Sequence, residues 1–334
     1  MRNKNINEIS QSTKASMKTR IIAAIVALIL VVPLFIIGDW LFFAFILFVS
    51  VVAFWEIVNC GKKDYSFWLY FVTITLGIIM VNWPLIQGLI GKNTHGHVFE
   101  YFNTINLSLV AMFIGICLLF LVVILHQSFT VRDGCYIIAM VIIVSLGLQS
   151  LLFARYFPSF INTNERTGWF NGFDNFASCS FATYGVLGTF MTDIGAYFIG
   201  VFFGKHKINE RISPKKTYEG FFGGIFISAA VSMAFAFILS ATGNPILPGI
   251  YDIAHWYNIV FMSLLMPFLA TLGDFVFSAI KRFYEVKDFG NIMPGHGGAL
   301  DRIDSIIFVF AGLALYTLLF YGLSGMGGTT GLFI

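Results

Sequence analysis

The chain has 334 residues, of which 58% are apolar and 11% charged, with a mean hydropathy of +0.84. That leaves too few charges to cover a soluble globule and too many apolar runs for one core, so a soluble enzyme is excluded and a polytopic membrane protein is expected. The formal net charge of +3 is spread over separate loops, which excludes a basic stripe for nucleic acid.

The expected fold class is all-α, with about nine transmembrane helices, each apolar run being close to the ~20 residues that cross ~30 Å of hydrocarbon. In chain order the runs are Ile21 to Ile37, Trp40 to Val58, Phe67 to Ile90, Leu107 to Leu125, Tyr136 to Phe153, Phe181 to Phe203, Phe221 to Ala241, Tyr257 to Ile280 and Ser305 to Leu323. Charge bias supports the count. With the N-terminus cytoplasmic, 17 of the 20 Lys and Arg residues fall in inner segments, and only Lys92, Arg155 and Arg166 fall outside. The C-terminus is then expected outside.

Residues 1–20 read as a cytoplasmic tail, and the run after them as a retained first helix, because no small-residue cleavage site follows it. Residues 21–156 read as scaffold helices with almost no ionisable group at membrane depth. Glu56 is the exception, and at the inner end of its span it reads as a carboxylate reaching the interface. His95 and His97 read as solvated loop residues. The segment Ala154 to Ser180, including the outer loop 157–180, reads as exposed, and no function is legible in it. Cys60, Cys117, Cys135 and Cys179 fall at an inner loop, mid-membrane, an inner loop and an outer loop, so neither a disulfide framework nor a metal spacing is expected. A tail of residues 324–334 completes the outer side.

Residues 181–323 differ in kind, because polar groups enter the spans and the inner loops 204–220 and 281–304 become long and charged. Asp274 lies about 10 Å of helix inside the basic end at Lys281. Ser278 and Lys281 share its face, so one stripe presents carboxylate, hydroxyl and ammonium. Asp301 and Asp304 are three residues apart at the start of the last helix, where they could cap the helix or share a metal. Together with Asp274 they form an all-oxygen set of the kind that favours Mg²⁺. The run Pro294, Gly295, His296, Gly297, Gly298 between them is an ordinary turn by composition, yet its glycines permit backbone approach to phosphate and His296 offers a donor or proton carrier.

The earlier loop carries Ser213, Pro214, Lys215, Lys216, Thr217 and Glu219. Ser213 or Thr217 could cap the next helix with Pro214 in its first turn, while Lys215 and Lys216 could meet phosphates. Asp193, inside the preceding span, is either a packing residue or a functional carboxylate.

The order Ser278, Lys281-Arg282, Lys287-Asp288, Pro294 to Gly298 and Asp301-Arg302-x-Asp304 resembles the signature of the phosphatidate cytidylyltransferases (CDP-diacylglycerol synthases), and Ser213 to Gly220 resembles a second segment of that family. The resemblance covers Asp193 to Ser305. It implies an enzyme that converts CTP and phosphatidic acid to CDP-diacylglycerol and pyrophosphate, in the cell (inner) membrane of a bacterium, with its site on the cytoplasmic side. It implies Mg²⁺ held by Asp274, Asp301 and Asp304, and a second cation, K⁺ or divalent, that could share Asp274. Lys281 and His296 would join the aspartates in catalysis. Ser213, Lys215, Lys216, Thr217, Ser278, Arg282, Lys287, Gly297, Gly298 and Arg302 would bind substrate. The expected partners are CTP, phosphatidic acid, membrane lipids and a second copy of the chain, with no nucleic acid. Asp274→Asn and Asp301→Asn are expected to abolish turnover while leaving the fold intact.

Two rivals stand beside this reading. An ion- or proton-coupled transporter would use Asp193 and Asp274 but leaves the charged loops unexplained, and no repeated half with matched broken helices is visible. An enzyme of another phosphorylated lipid is separable by CTP dependence.

Overall fold

A computed structural model of the protein describes residues 26, 29–61, 65–83, 107–125, 129–162, 175–292 and 297–323. The N-terminal tail, the C-terminal tail, His95, His97 and the turn residues Met293 to His296 lie outside the described residues.

Helical residues 29–37 lead into α1 (Asp39–Asn59), followed by α2 (Phe67–Val81), α3 (Leu107–Leu125), α4 (Val131–Asn162) and α5 (Asn175–Phe203). A short hairpin, β1 (Lys207–Asn209) and β2 (Ser213–Thr217), precedes α6 (Tyr218–Ala241), α7 (Trp256–Phe283) and α8 (Leu300–Leu323). Six helices are long and apolar enough to cross a membrane: Trp40–Asn59, Val131–Tyr156, Ser178–Phe203, Tyr218–Ala241, Trp256–Phe283 and Leu300–Phe320. The chain is an integral membrane protein, and its exposed aromatic and aliphatic side chains, such as Phe198, Phe202, Phe222 and Phe226, are the surface such a bundle turns to lipid. The other expected spans appear as helical residues 29–37 and the shorter apolar helices Phe67–Val81 and Met112–Val122.

Two apolar clusters fill the bundle. One joins α1 to α4 and reaches Phe277, Phe289, Leu300 and Ile307. The other packs α5, α7 and α8 around Phe181, Tyr184, Met266 and Phe310, over a segment that includes Ile246 to Tyr251. Helices α5 and α6 lie against each other closely enough that a Cβ on Gly224 would stand 2.8 Å from the Thr192 carbonyl, and one on Gly220 would stand 2.8 Å from that of Ala196. Small residues allow backbones to approach this way where no aqueous hydrophobic effect drives helices together. Ser228 adds an interhelical hydrogen bond to the Gly188 carbonyl at 2.7 Å.

The structure refines several readings of the sequence. The loop 204–220 contains a short hairpin, so the mostly helical fold carries a two-stranded sheet. β1 and β2 pair antiparallel, with Lys207 opposite Thr217 and Asn209 opposite Ser213, while the Asn209 side chain accepts the Arg211 and Ile212 N–H groups to close the turn. Pro214 is tolerated because a two-stranded ribbon has open edges. Ser213 and Pro214 therefore belong to a strand, and Thr217 alone caps α6, accepting the Gly220 N–H at 3.2 Å.

The segment Ala154 to Ser180 is helical at its ends, where α4 runs on to Asn162 and α5 begins at Asn175. Arg155 is fully buried. It donates from Nε to the Phe35 carbonyl at 3.0 Å and from Nη2 to the Ile36 carbonyl at 3.2 Å, beside the helix break at Gly38, whose φ is +70°. A residue with a Cβ would be strained there. Glu56, expected at the interface, is also fully buried.

Candidate active site

One end of the bundle gathers the last turns of α1, α5 and α7, the first turns of α6 and α8, the hairpin, and loop residues 284–292 and 297–299. Asp274 descends α7, where Ser278, one turn further on, donates its hydroxyl to Oδ1 at 3.1 Å. Lys216, on β2, forms an ion pair with Asp274 Oδ2 and holds its ammonium 4.4 Å from the Phe275 ring centre. The hairpin is fixed for this by Glu219, whose carboxylate accepts the Lys205 and His206 N–H groups and pairs with His206 Nδ1 at 2.6 Å. Arg282 ties the end of α7 to the hairpin turn through the Ile212 carbonyl at 3.3 Å.

Asp301 opens α8 and is the most heavily engaged carboxylate in the site. Lys281 Nζ donates to Oδ1 at 2.8 Å, while the N–H groups of Phe289 and Gly298 donate to Oδ2 at 2.8 and 3.0 Å. The pair is nearly dry, with side-chain exposures of 12% for Lys281 and 2% for Asp301. Asp301 thus ties Phe289 and Gly298 to the start of α8. Gly297 makes the closure possible: its φ is +88°, and a Cβ there would meet Asp301 Oδ2 at 3.0 Å and Asp288 at 3.3 Å. Asp304, one turn into α8, accepts the Ser305 N–H at 2.7 Å.

These groups surround a cavity of about 250 Å³ lined by Asp193, Asp274, Lys281, Asp288, Asp301, Arg302, Asp304 and Ser305. Five carboxylates face Lys281 and Arg302, and Lys216 adds a third positive charge at Asp274, which leaves an excess of two formal negative charges before any substrate arrives. Among the described residues, no three Asp, Glu, His or Cys side chains stand close enough to share one metal ion. The ammonium groups of Lys216 and Lys281 instead sit on Asp274 and Asp301.

Of the residues expected from the sequence, Asp274, Lys281, Asp301, Arg302 and Asp304 line this cavity. Lys216 and Ser278 touch it through Asp274. Thr217 caps α6, Gly298 spends its N–H on Asp301, and Arg282 binds a loop carbonyl. Ser213, Lys215 and Lys287 are not among the lining residues, and His296 lies outside the described residues.

Asp193, weighed from the sequence as either a packing residue or a functional carboxylate, lines the cavity, and so do Asp288 and Ser305, to which no role is assigned from the sequence. The depth of Asp193 in its span was the available signal for it. Glu56 was missed as well. Its carboxylate accepts the Ala299 N–H at 3.0 Å and the Leu300 N–H at 2.8 Å, directly behind the site.

Residues 18–320 match the cytidylyltransferase family. The chain belongs to that family. A phosphatidate cytidylyltransferase of Staphylococcus aureus (strain COL) is 30% identical over 299 residues, covering 88% of this chain and 96% of the relative. One of Bacillus subtilis (strain 168) is 30% identical over 306 residues, covering 91% and 98%. A Staphylococcus saprophyticus relative of the same name is 29% identical over 294 residues. The family match takes in α1 to α7 and most of α8, so it includes the N-terminal helices as well as the charged end.

Proposed function

We propose that this chain transfers the cytidylyl group of CTP to phosphatidic acid, giving CDP-diacylglycerol and pyrophosphate. The observation that carries the reading is the cavity in which Asp274 from α7 and Asp301 and Asp304 from α8 converge with Lys281 and Arg302, at the helix ends of a membrane bundle. Family membership and the relatives' names fix the group transferred and the lipid that receives it.

In the reaction, a phosphate oxygen of the lipid attacks the α-phosphorus of CTP, a new P–O bond forms, and the bond from that phosphorus to the bridging oxygen of the β-phosphate breaks. Pyrophosphate leaves in line, and no covalent bond to the protein is needed. Two anionic substrates entering a cavity with excess negative charge would repel its walls, so the donor set calls for cations. Hard carboxylate oxygens in excess fit Mg²⁺. Asp274, Asp301 and Asp304 do not stand close enough to share one ion by themselves, so they would hold it together with substrate phosphate oxygens once Lys216 and Lys281 leave Asp274 and Asp301, and a second cation, K⁺ or divalent, would share Asp274. Bound there, Mg²⁺ supplies charge neutralisation on the transferring and leaving phosphates.

The chain's own groups supply the rest. Lys281 and Lys216 would turn from carboxylates to phosphate oxygens as the triphosphate enters, joined by Arg302 from the cavity wall, with Lys215, Arg282 and Lys287 drawing it in from water. Ser278 would keep Asp274 oriented. Ser213, Thr217, Gly297 and Gly298 would shape the loops around the phosphates, and His296 would donate to the leaving pyrophosphate. The site faces the cytoplasm, where CTP is available, in a topology of nine spans with the N-terminus inside and the C-terminus outside, and the working unit is a homodimer in the bacterial inner membrane.

The deciding assay is CDP-diacylglycerol formation by purified protein in detergent micelles with phosphatidic acid, CTP and Mg²⁺, comparing wild type, Asp301→Asn and a metal-free control. Metal-dependent product from wild type alone supports the reading. No product from folded protein with lipid at adequate surface concentration rejects it in favour of another phosphorylated lipid or of transport.

A further inference from the structure

A fully buried carboxylate needs a reason, since an uncompensated charge is costly away from water. Glu56 sits near the end of α1, outside the cavity lining, and is fully buried. Both its oxygens are spent on one feature 243 and 244 residues away: the Ala299 N–H at 3.0 Å and the Leu300 N–H at 2.8 Å, the first free donors of α8. An acidic group at that position satisfies N–H groups that have no partner within the helix and complements the positive end of its dipole.

The loop is shaped to admit it. A Cβ on either Gly290 or Gly298 would collide with the Glu56 carboxylate, so both glycines are small where this side chain passes. The next residue along α8 is Asp301, which grips Gly298 and Phe289 from the cavity side. Phe289, Gly298 and the start of α8 are therefore held between two carboxylates, Asp301 facing the cavity and Glu56 behind it.

We infer that Glu56 is a positioning residue for the transfer reaction, setting the start of α8, and with it Asp301 and Asp304, from the N-terminal half of the chain. The inference rests on the proposed reaction for its kinetic consequence but not for its structural one. It also gives α1 a part in the site.

The test uses full-length protein with Glu56→Gln, Gly290→Ala and the double variant, read by amide exchange and by kinetics well below each variant's unfolding temperature. Glu56→Gln keeps the volume but turns an NH₂ group toward one of two N–H donors; the methyl group added by Gly290→Ala pushes the carboxylate aside from the opposite wall. Exchange should rise in peptides covering 286–305, with α6 peptides unchanged. The turnover number of folded enzyme should fall by on the order of 10-fold, the loss typical when a group that orients a ligand is removed. The double variant should be no worse than the weaker single one, because both act on one contact.

A purely structural role would lower thermal stability and folded yield while leaving the turnover of the folded fraction within about twofold of wild type, and that result overturns the inference. If Glu56→Gln cannot be recovered folded, Gly290→Ala decides by the same criteria. Should wild type itself make no CDP-diacylglycerol, the proposed function fails, and unchanged exchange over 286–305 would separately refute the positioning.

Discussion

Asp274→Asn and Asp301→Asn remove the same charge from the same cavity, yet the structure predicts different costs. Asp301 is 2% exposed and accepts three hydrogen bonds, one from a Lys281 whose side chain is 12% exposed. Breaking a buried ion pair by removing one partner costs roughly 3–5 kcal/mol, because the other charge is left behind. Asn keeps one acceptor oxygen, which can serve either Lys281 or the backbone donors but not all three, so the lower end, about 3 kcal/mol, is expected. Asp274 pairs with Lys216 at side-chain exposures of 28% and 27%, where solvent relieves the lone partner. Partly exposed pairs of that kind contribute about 1 kcal/mol or less.

Both variants should therefore lose turnover, but only Asp301→Asn should unfold at a clearly lower temperature in the same detergent. A fold as stable as wild type is therefore expected for Asp274→Asn but not for Asp301→Asn. Lys281→Met on the Asp301→Asn background supplies the sharper check, because deleting the stranded ammonium should restore part of the lost stability. Equal unfolding temperatures for Asp274→Asn, Asp301→Asn and wild type would refute the assignment of Asp301 as the loop's structural anchor. Turnover by Asp301→Asn near the wild-type rate would refute its place in the chemistry.

Arg155→Met should lower stability by about 2 kcal/mol, since hydrogen bonds from a charged donor contribute roughly 1.5–3 kcal/mol and two backbone carbonyls lose theirs. Thermal unfolding with turnover measured per folded enzyme checks that the loss is confined to stability. Thr217→Ala removes the α6 cap and should cost about 1 kcal/mol; amide exchange at residues 218–222 should rise, and an unchanged profile would count against the cap. Gly224→Ala places a methyl group against the Thr192 carbonyl and should destabilise by roughly 1–3 kcal/mol through overpacking, read as a lower unfolding temperature.

The apolar periodicity of the second half was legible because each span carries its own signal: α5 to α8 follow the expected runs closely, and Asp193, Asp274, Asp301 and Asp304 on α5, α7 and α8 line one cavity. Spacing alone placed Asp274 with Ser278, and Asp301 with Asp304, because those pairs depend only on helical geometry. The hairpin was not legible. Strands of three and five residues carry too little alternation to register, and Lys215 and Lys216 read equally well as loop charges.

The buried ions of the first half escaped for a different reason. Glu56 near the end of one apolar run and Arg155 near the end of another look like residues reaching for water, which is the usual fate of a charge at that depth. What separates them from that fate is the partner, and the partner of each is a backbone group far along the chain: the Phe35 and Ile36 carbonyls for Arg155, the Ala299 and Leu300 N–H groups for Glu56. A backbone donor or acceptor has no letter in the sequence. The one trace Glu56 leaves is indirect, in two glycines. Gly298 reads from sequence as part of a phosphate-cradling turn, but its missing side chain makes room for Glu56 and its N–H serves Asp301. The same residue type that permits close approach to a ligand also permits close approach to a carboxylate of the protein, and only the fold distinguishes the two.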